Sequence, residues 1–410
     1  MAEKTDLESV RAREAAHFLP VVKRLPVALV EGRGSRVRDV DGREYVDLMA
    51  GWGVTCLGHC HPALVDAIRD QAGRLMQTTN VFYTLPQLDL IDRLAALLPR
   101  PLSHSFIVNS GAEAVEGAVK LAHRATGRTK YVSTHGSFHG RTLGALRVIG
   151  QAKHHDPYRA LLPERTLVPF GDLEAARAAI SGAGGATAGA LDGPAAAFIV
   201  EPIQGEGGVN VPQGGYLAGL REVCNAAGAL LIFDEVQTGI GRTGRMFAFQ
   251  HEGVTPDVLT LGKHLGGGFP VAAFVATDAV ASKVLLGDHG GTYVGNPLAC
   301  AAANTVLRVV VEEKLAERAA ALGERVLAKL RAFVEARPDL ADDARGRGLL
   351  LGLQLRDPDR AATLPLRALE RGVIVNVTAG RVMRLFPALN IPEDDLWPAL
   401  DVLLDLVTHP

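Results

Sequence analysis

Through the middle third of the chain, short apolar runs alternate with stretches of helical spacing, and few architectures accept that alternation. The strand candidates are Phe106–Val108, Tyr131–Ser133, Ala196–Val200, Ala229–Phe233, Val258–Leu261 and Ala272–Ala276. Several are apolar along their whole length, as strands covered on both faces must be. Between them, stretches such as Gly111–Arg124 and Leu217–Ala227 carry helical spacing. The pattern predicts an α/β domain with a mostly parallel sheet covered on both sides. Such sheets gather their active sites at the C-terminal strand ends.

The flanks read differently. Residues 299–336 are long Ala/Leu/Val-rich helical segments. After Pro338 come "GRGLLLGLQL", "GVIVNV" and a final amphipathic helix near Trp397–Val407, which predict a smaller α+β domain. The first ~75 residues do not fit the alternation and are expected to pack with that small domain. The expected division is an N-terminal segment over 1–75, a large domain over 76–305 and a small C-terminal domain over 306–410. The Ala/Gly-rich stretch Ser181–Gly193 reads as a surface loop.

Charge and composition narrow the ligands. The 43 basic and 45 acidic residues nearly cancel, which excludes a nucleic-acid footprint or an acidic tail. No segment offers the ~20 apolar residues of a membrane span, and the N-terminus lacks the pattern of a secretory signal. The four cysteines suggest no disulfide framework. A cytoplasmic protein acting on small molecules, away from nucleic acid and membrane, is the expectation. The cluster "CLGHCHP" over residues 56–62 holds four metal-ligating side chains, yet no second pair follows at zinc spacing. Pro62 reads better as the opening of a helix, and no metal is expected.

Four groups of residues carry chemistry. Lys263 follows the apolar run "VLTLG" and precedes three glycines. A lysine at a strand end, backed by permissive backbone, suits a buried amine that forms a Schiff base with an aldehyde. Asp234 and Glu235 end the run "ALLIFDE" and need a cationic partner or water. Asp234 suits the protonated ring nitrogen of pyridoxal phosphate, while Arg242 and Arg245 offer both carboxylates another partner. Ser110 and Glu113 form a capping box before a helix, with Gly111 and Ala112 leaving backbone N–H groups uncovered. That is the geometry of a phosphate site and equally of an ordinary capped helix. "HGSFHGRT" supplies Phe138, a ring that can stack on a pyridine, and Arg141, a fork for a carboxylate. A competing pattern exists: Gly239, Gly241 and Gly244 spell G-x-G-x-x-G with Asp257 beyond. The nicotinamide reading of that loop is disfavoured, because "DEVQT" separates it from the strand end.

Taken together, "SGAEAVEGAVK", "HGSFHGRTLGAL", "EPIQGEGGV", "FDEVQTGIGRTG", "PDVLTLGKHLGGGFP" and "NPLACAAA" resemble the class III aminotransferases of the fold-type I pyridoxal-phosphate superfamily. The chain is most similar to their acetylornithine and ornithine aminotransferase group, and the likeness runs from about residue 25 to residue 405. The resemblance implies that Lys263 carries pyridoxal 5'-phosphate and that Asp234 holds its ring nitrogen. It implies that Gln237 contacts the ring hydroxyl, Phe138 stacks on the ring, and Ser110, Gly111 and Ala112 hold the phosphate. Thr292 would complete the phosphate site of the other subunit, which implies a homodimer or a higher even oligomer. Arg141 and Arg384 would bind substrate carboxylates, with Glu206 masking Arg384 in one half-reaction, and Trp52 and Tyr83 would line the pocket.

Four positions depart from the family pattern. Gly291 replaces a frequent serine, Val115 a polar residue and Val294 a small one, and Trp52 is bulkier than an aliphatic residue. The implied reaction moves an amino group from an ω-amino acid such as acetylornithine or ornithine to 2-oxoglutarate, giving an aldehyde and glutamate. The alternatives are a 4-aminobutyrate-type or other ω-aminotransferase and an amino-acid racemase or epimerase. Having both Glu206 and Arg384 favours transamination, since a racemase needs no switch between two substrates.

Overall fold

The computed structural model describes residues 6–182 and 193–409. The loop expected over Ser181–Gly193 lies mostly outside them. Three short N-terminal strands come first: β1 Leu29–Arg33, β2 Arg36–Asp39 and β3 Glu44–Asp47. The middle of the chain supplies β4 Leu102–Val108, β5 Tyr131–Thr134, β6 Thr166–Val168, β7 Ala197–Val200, β8 Leu230–Asp234, β9 Val258–Leu261 and β10 Ala272–Thr277. The C-terminal part supplies β11 Ala341–Arg347, β12 Leu350–Leu355, β13 Val373–Ile374, β14 Asn376–Thr378 and β15 Val382–Leu385.

β4 to β10 form one seven-stranded sheet in the order β4-β10-β9-β8-β7-β5-β6. Neighbours from β9 to β6 run parallel, and β10 is antiparallel to both β9 and β4. The predicted mostly parallel sheet is therefore present. Its inner strands are the ones the apolar runs located to within a residue, because both of their faces are buried. The two edges were harder to read. β4 begins at Leu102, earlier than expected, since Ser103, His104 and Ser105 lie on a half-covered edge. β6, at the other edge, has only three residues and no apolar run to announce it.

The helix Gly111–Thr126 packs on this sheet, capped at Ser110 and stopped by left-handed Gly127. Val115 is fully buried inside the core it covers, so the apolar departure at that position is a packing choice. The helices Pro297–Glu312 and Leu315–Ala336 carry the chain past residue 305 into the C-terminal part. There β11-β12-β15-β14 form a second, antiparallel sheet. β13 instead joins the N-terminal strands in the order β1-β2-β3-β13, pairing parallel with β3 through Val373 and Val46. Among the described residues no helix is long and apolar enough to cross a membrane.

Candidate active site

The C-terminal ends of β8 and β9 are parallel neighbours, and they bring Asp234 and Lys263 together. The crossover between them contains no α-helix. It is a run of turns with one 3-10 turn, Ala248–His251, because Gly239, Gly241 and Gly244 break any longer helix. Lys263 opens another 3-10 turn after Gly262 and takes a positive φ of 38°. A lysine in that region is strained, and the packing around it must hold it there.

Glycines clamp the surrounding loops against this lysine. A Cβ on Gly262 would lie 3.3 Å from Val236 Cγ1 and 3.4 Å from the Gly111 Cα. A Cβ on Gly111 would meet the same Val236 methyl at 2.8 Å. The start of the helix Gly111–Thr126 therefore sits beside the lysine turn. Its first N–H groups, at Gly111 and Ala112, have no acceptor within the helix and face a possible anion. Ser110 Oγ accepts from Glu113 N at 3.3 Å. The expected capping box is only half made: Glu113 Oε2 reaches back to Asn109 N at 2.7 Å and Asn109 Nδ2 at 2.9 Å, one residue before the cap. Gly140, at φ 126°, closes the cradle from the other side, where a Cβ would meet the Ala112 Cβ at 2.7 Å.

Asp234 is buried and fully engaged. Its Oδ1 accepts from Thr260 Oγ1 at 2.9 Å and Val236 N at 3.1 Å. His139 Nδ1 lies 2.7 Å from its Oδ2, so that nitrogen carries the proton. His139 Nε2 is buried without a hydrogen-bond partner. Behind the pair, Glu201 accepts from Phe138 N at 2.9 Å and Gly205 N at 3.0 Å. Burial, helped by Asp234, pushes its carboxyl up to about 7. Neither His139 nor Glu201 stood out in the sequence. Their only signals were a second histidine in "SFHGR" and a carboxylate at the end of an apolar run, and both are common.

Glu235 does not pair with Arg242. Its carboxylate caps the turn below, accepting from Ala248 N at 2.7 Å and Phe249 N at 2.8 Å. Arg242 is fully buried and bonds the carbonyls of Leu349 and Pro387 at 3.0 and 2.6 Å. The glycine loop thus serves as an anchor to the C-terminal part. Asp257, the would-be ribose ligand, is held by Arg221 at 2.7 Å.

The C-terminal sheet supplies the opposite wall. Arg384, on β15, is 0% exposed. Its Nη1 donates to Glu206 Oε1 at 2.7 Å and to Gln237 Oε1 at 3.3 Å, while its Nη2 has no partner. Thr378 Oγ1 donates to the Glu206 carbonyl at 2.7 Å. Burial would push the Glu206 carboxyl up, yet Arg384 and Lys263 hold it below its ordinary range. For the half-buried Lys263, burial and then Arg384 outweigh the attraction of Glu206 and Asp234, and the amine falls to about 8. One arginine nitrogen without an acceptor, in a wall facing a depressed lysine, is a ready partner for a carboxylate.

The remaining predicted positions lie on an open rim. Phe138 is half-buried, with the exposed Arg141 guanidinium 5.9 Å from its ring centroid. Trp52, at φ 60°, is exposed, and Tyr83 is 93% exposed. Thr292 is exposed too, its carbonyl accepting from Gln77 Nε2 at 2.7 Å. Two departures from the family pattern meet here: a Cβ on Gly291 would lie 2.8 Å from Val294 Cγ1. A serine at 291 would collide with the larger valine, so the two changes compensate each other. At "CLGHCHP", His59 bonds Asp47 at 2.8 Å and Pro62 is the first residue of the helix Pro62–Ala72. No group of metal-ligating side chains occurs among the described residues.

Residues 19–407 match the family described as aminotransferase class-III. The acetylornithine aminotransferase of Methanopyrus kandleri is 47% identical, over 95% of this chain and 96% of its own length. That of Mycobacterium tuberculosis is 46% identical, over 93% and 92%. Among solved structures, the acetylornithine aminotransferase of Elizabethkingia anophelis aligns with a TM-score of 0.85 at 35% identity, covering 99% of this chain and 100% of that one. The ornithine aminotransferase of Toxoplasma gondii aligns at 0.91 and 33%, covering 98% and 95%. Another structure of that enzyme has partial occupancy of pyridoxal phosphate at its active site.

Proposed function

The chain belongs to the class-III aminotransferases, and from that premise we propose that it transfers the distal amino group of acetylornithine, or of ornithine, to 2-oxoglutarate with pyridoxal 5'-phosphate. The observation that carries this reading is the Glu206–Arg384 ion pair in the wall facing Lys263. An ω-amino acid presents its distal amine with its α-carboxylate far away, whereas glutamate presents its α-amine with a carboxylate close by. One site must therefore offer carboxylate partners at two depths, and the nearer partner must be hidden when it would select the wrong amine.

The residues present fit the cofactor. The glycine-built cradle at Gly111 and Gly140 gives a phosphate the N–H groups of Gly111 and Ala112 and the hydroxyl of Ser110. Asp234, kept in place by His139 and Thr260, would hold the ring nitrogen, Gln237 the ring hydroxyl, and Phe138 the ring face. When bound, the cofactor serves as the sink for electrons left at the substrate carbon. Lys263 would hold the cofactor through its Nζ, and the same Nζ would be the group placed to move the proton of the substrate carbon that bears the amine. Its lowered basicity suits that task near neutral pH. Arg384 would hold the α-carboxylate of glutamate, and Glu206 would cover Arg384 for the other substrate. Arg141 would take the distant carboxylate, with Trp52 and Tyr83 shaping the entrance.

The rim supports a homodimer or a higher even oligomer. Val81, Phe82, Tyr83, Leu85 and Tyr293 are exposed, and Gln77 ties the first of these segments to Thr292. A two-fold interface over such a surface would bury it and bring Thr292 to the partner's phosphate site. The four unpaired cysteines agree with a cytoplasmic enzyme. The deciding experiment assays N-acetylornithine, ornithine and 4-aminobutyrate as donors, each with 2-oxoglutarate, by glutamate formed. The first two should lead, and a donor ranking headed by 4-aminobutyrate would overturn the substrate reading.

A further inference from the structure

We infer that Glu201 is a positioning residue, whose one carboxylate ties the loop carrying Phe138 to the loop carrying Glu206 and so fixes the stacking wall and the arginine gate relative to each other. The inference rests on the roles proposed for Phe138 and Glu206. Glu201 follows β7, is 2% exposed, and touches no predicted ligand group with its own oxygens. Each oxygen instead takes one backbone N–H: Oε1 that of Phe138 at 2.9 Å, Oε2 that of Gly205 at 3.0 Å.

The two loops have little room to move apart. A Cβ on Gly205 would fall 2.1 Å from Gln237 Oε1, so Gly205 is wedged between Glu201 and the residue that also bonds Arg384. Gln204, next to it, donates to Thr134 Oγ1 at 3.1 Å and to the His135 carbonyl at 2.8 Å, a second tie to the same loop. Arg345 bonds the Gly208 carbonyl and links the Glu206 loop onward to the C-terminal sheet. Glu201 is thus the buried end of a chain of contacts that leaves the large sheet and ends at the gate.

A carboxylate is needed because both of its ends must accept. A glutamine would turn an NH2 toward one of the two N–H groups and lose that bond. An aspartate, shorter by about 1.5 Å, reaches one loop and leaves the other. The charged groups facing Glu201 are His139, whose pull favours the ionised form, Asp234, which opposes it, and Lys263.

The test compares hydrogen exchange in the full-length Glu201→Gln variant and the parent, without added cofactor. At least one of the peptides spanning 136–142 and 203–209 should exchange about tenfold faster, the effect of one lost buried hydrogen bond, while peptides over β11 and β12 stay unchanged. Unchanged exchange in both loops overturns the tether. Then, with pyridoxal phosphate added, single-turnover rates are read for each half-reaction. The donor half should fall about tenfold further than the glutamate half, because a displaced Glu206 leaves Arg384 open to the wrong carboxylate. Equal losses in both halves overturn the link to the gate. If Glu201→Gln does not fold, Glu201→Asp is read by the same two criteria. A parent that transaminates neither substrate refutes the proposed function, and the exchange result then decides the tether by itself.

Discussion

The floor of the site and its rim are built on opposite terms. On the floor, Asp234, His139, Thr260 and Glu201 are buried, and the two carboxylates have each oxygen hydrogen-bonded within one chain. At the rim, Trp52, Tyr83, Arg141 and Thr292 stand in solvent. Groups that stabilise charge must be preorganised, since any reorganisation adds to the barrier. Groups that select a substrate by size need only be in place once the pocket is complete. The contrast separates a floor whose charges are already paired within one chain from a rim whose side chains still stand open to solvent.

Breaking the floor should have the largest effects. Lys263→Ala is expected to abolish turnover and remove the visible absorbance of bound cofactor; a retained band would show that another lysine can substitute. Asp234→Asn should keep the fold and lose about 10²–10³-fold in kcat, the scale of a single preorganised electrostatic contact. Near-normal kcat there would take Asp234 out of the floor.

The gate between floor and rim should give a smaller and asymmetric effect. Arg384→Ala should slow the glutamate half-reaction by up to ~2–5 kcal/mol, the cost of leaving Glu206 without its buried partner and the substrate without its own. Glu206→Ala should favour glutamate over the ω-amino donor, and single-turnover rates in both directions would expose equal effects if the pair is no switch.

pH sharpens the same contrast. Burial lowers the Lys263 amine to about 8, and only the unprotonated amine attacks a carbonyl. Cofactor capture by the apoenzyme, followed in a stopped-flow spectrophotometer, should therefore rise as pH climbs toward about 8 and level off above it. A rise continuing through the usual lysine range would mean that the floor is not closed. The smallest change belongs to the rim: Thr292→Ala should weaken pyridoxal phosphate by about 0.5–1.5 kcal/mol, the worth of one hydrogen bond. Equilibrium titration would read it, and an unchanged affinity would remove Thr292 from the phosphate site.

What the sequence made legible follows from the same division. Apolar runs located the inner strands and the ends that carry Asp234 and Lys263, because burial on both faces leaves a continuous pattern. β6 and the start of β4 escaped, since an edge strand is half polar. Asp234 and Lys263 were visible because each ends an apolar run inside a longer motif, FDEVQTG and TLGKHLGGG. His139 and Glu201 were not, because their value lies in the distances of 2.7 to 3.0 Å that they make across the fold. Arg242 and Glu235 stood near each other in sequence and suggested a pair, yet each found backbone partners instead. Spacing along a chain says little about which way a side chain turns.

The turn that bears Lys263 lies inside a hairpin, since β9 pairs antiparallel with the strand that follows it, Leu261 opposite Ala273. Its outer partner arrives from far earlier in the chain, Ala272 opposite Val108. Local pairings close cheaply and early, while distant ones wait for long loops to collapse. During refolding the lysine should therefore reach its turn before Glu206, Arg384 and the Ser110 helix enclose it. Until then its amine is hydrated and keeps an ordinary basicity, so most of it stays protonated and it reacts only slowly with aldehydes at neutral pH. Trapping with an aldehyde and borohydride in short pulses at successive refolding times should label Lys263 slowly at first and faster as the enclosure forms. The late arrival of its neighbours would then set when this amine gains the reactivity that the folded site gives it.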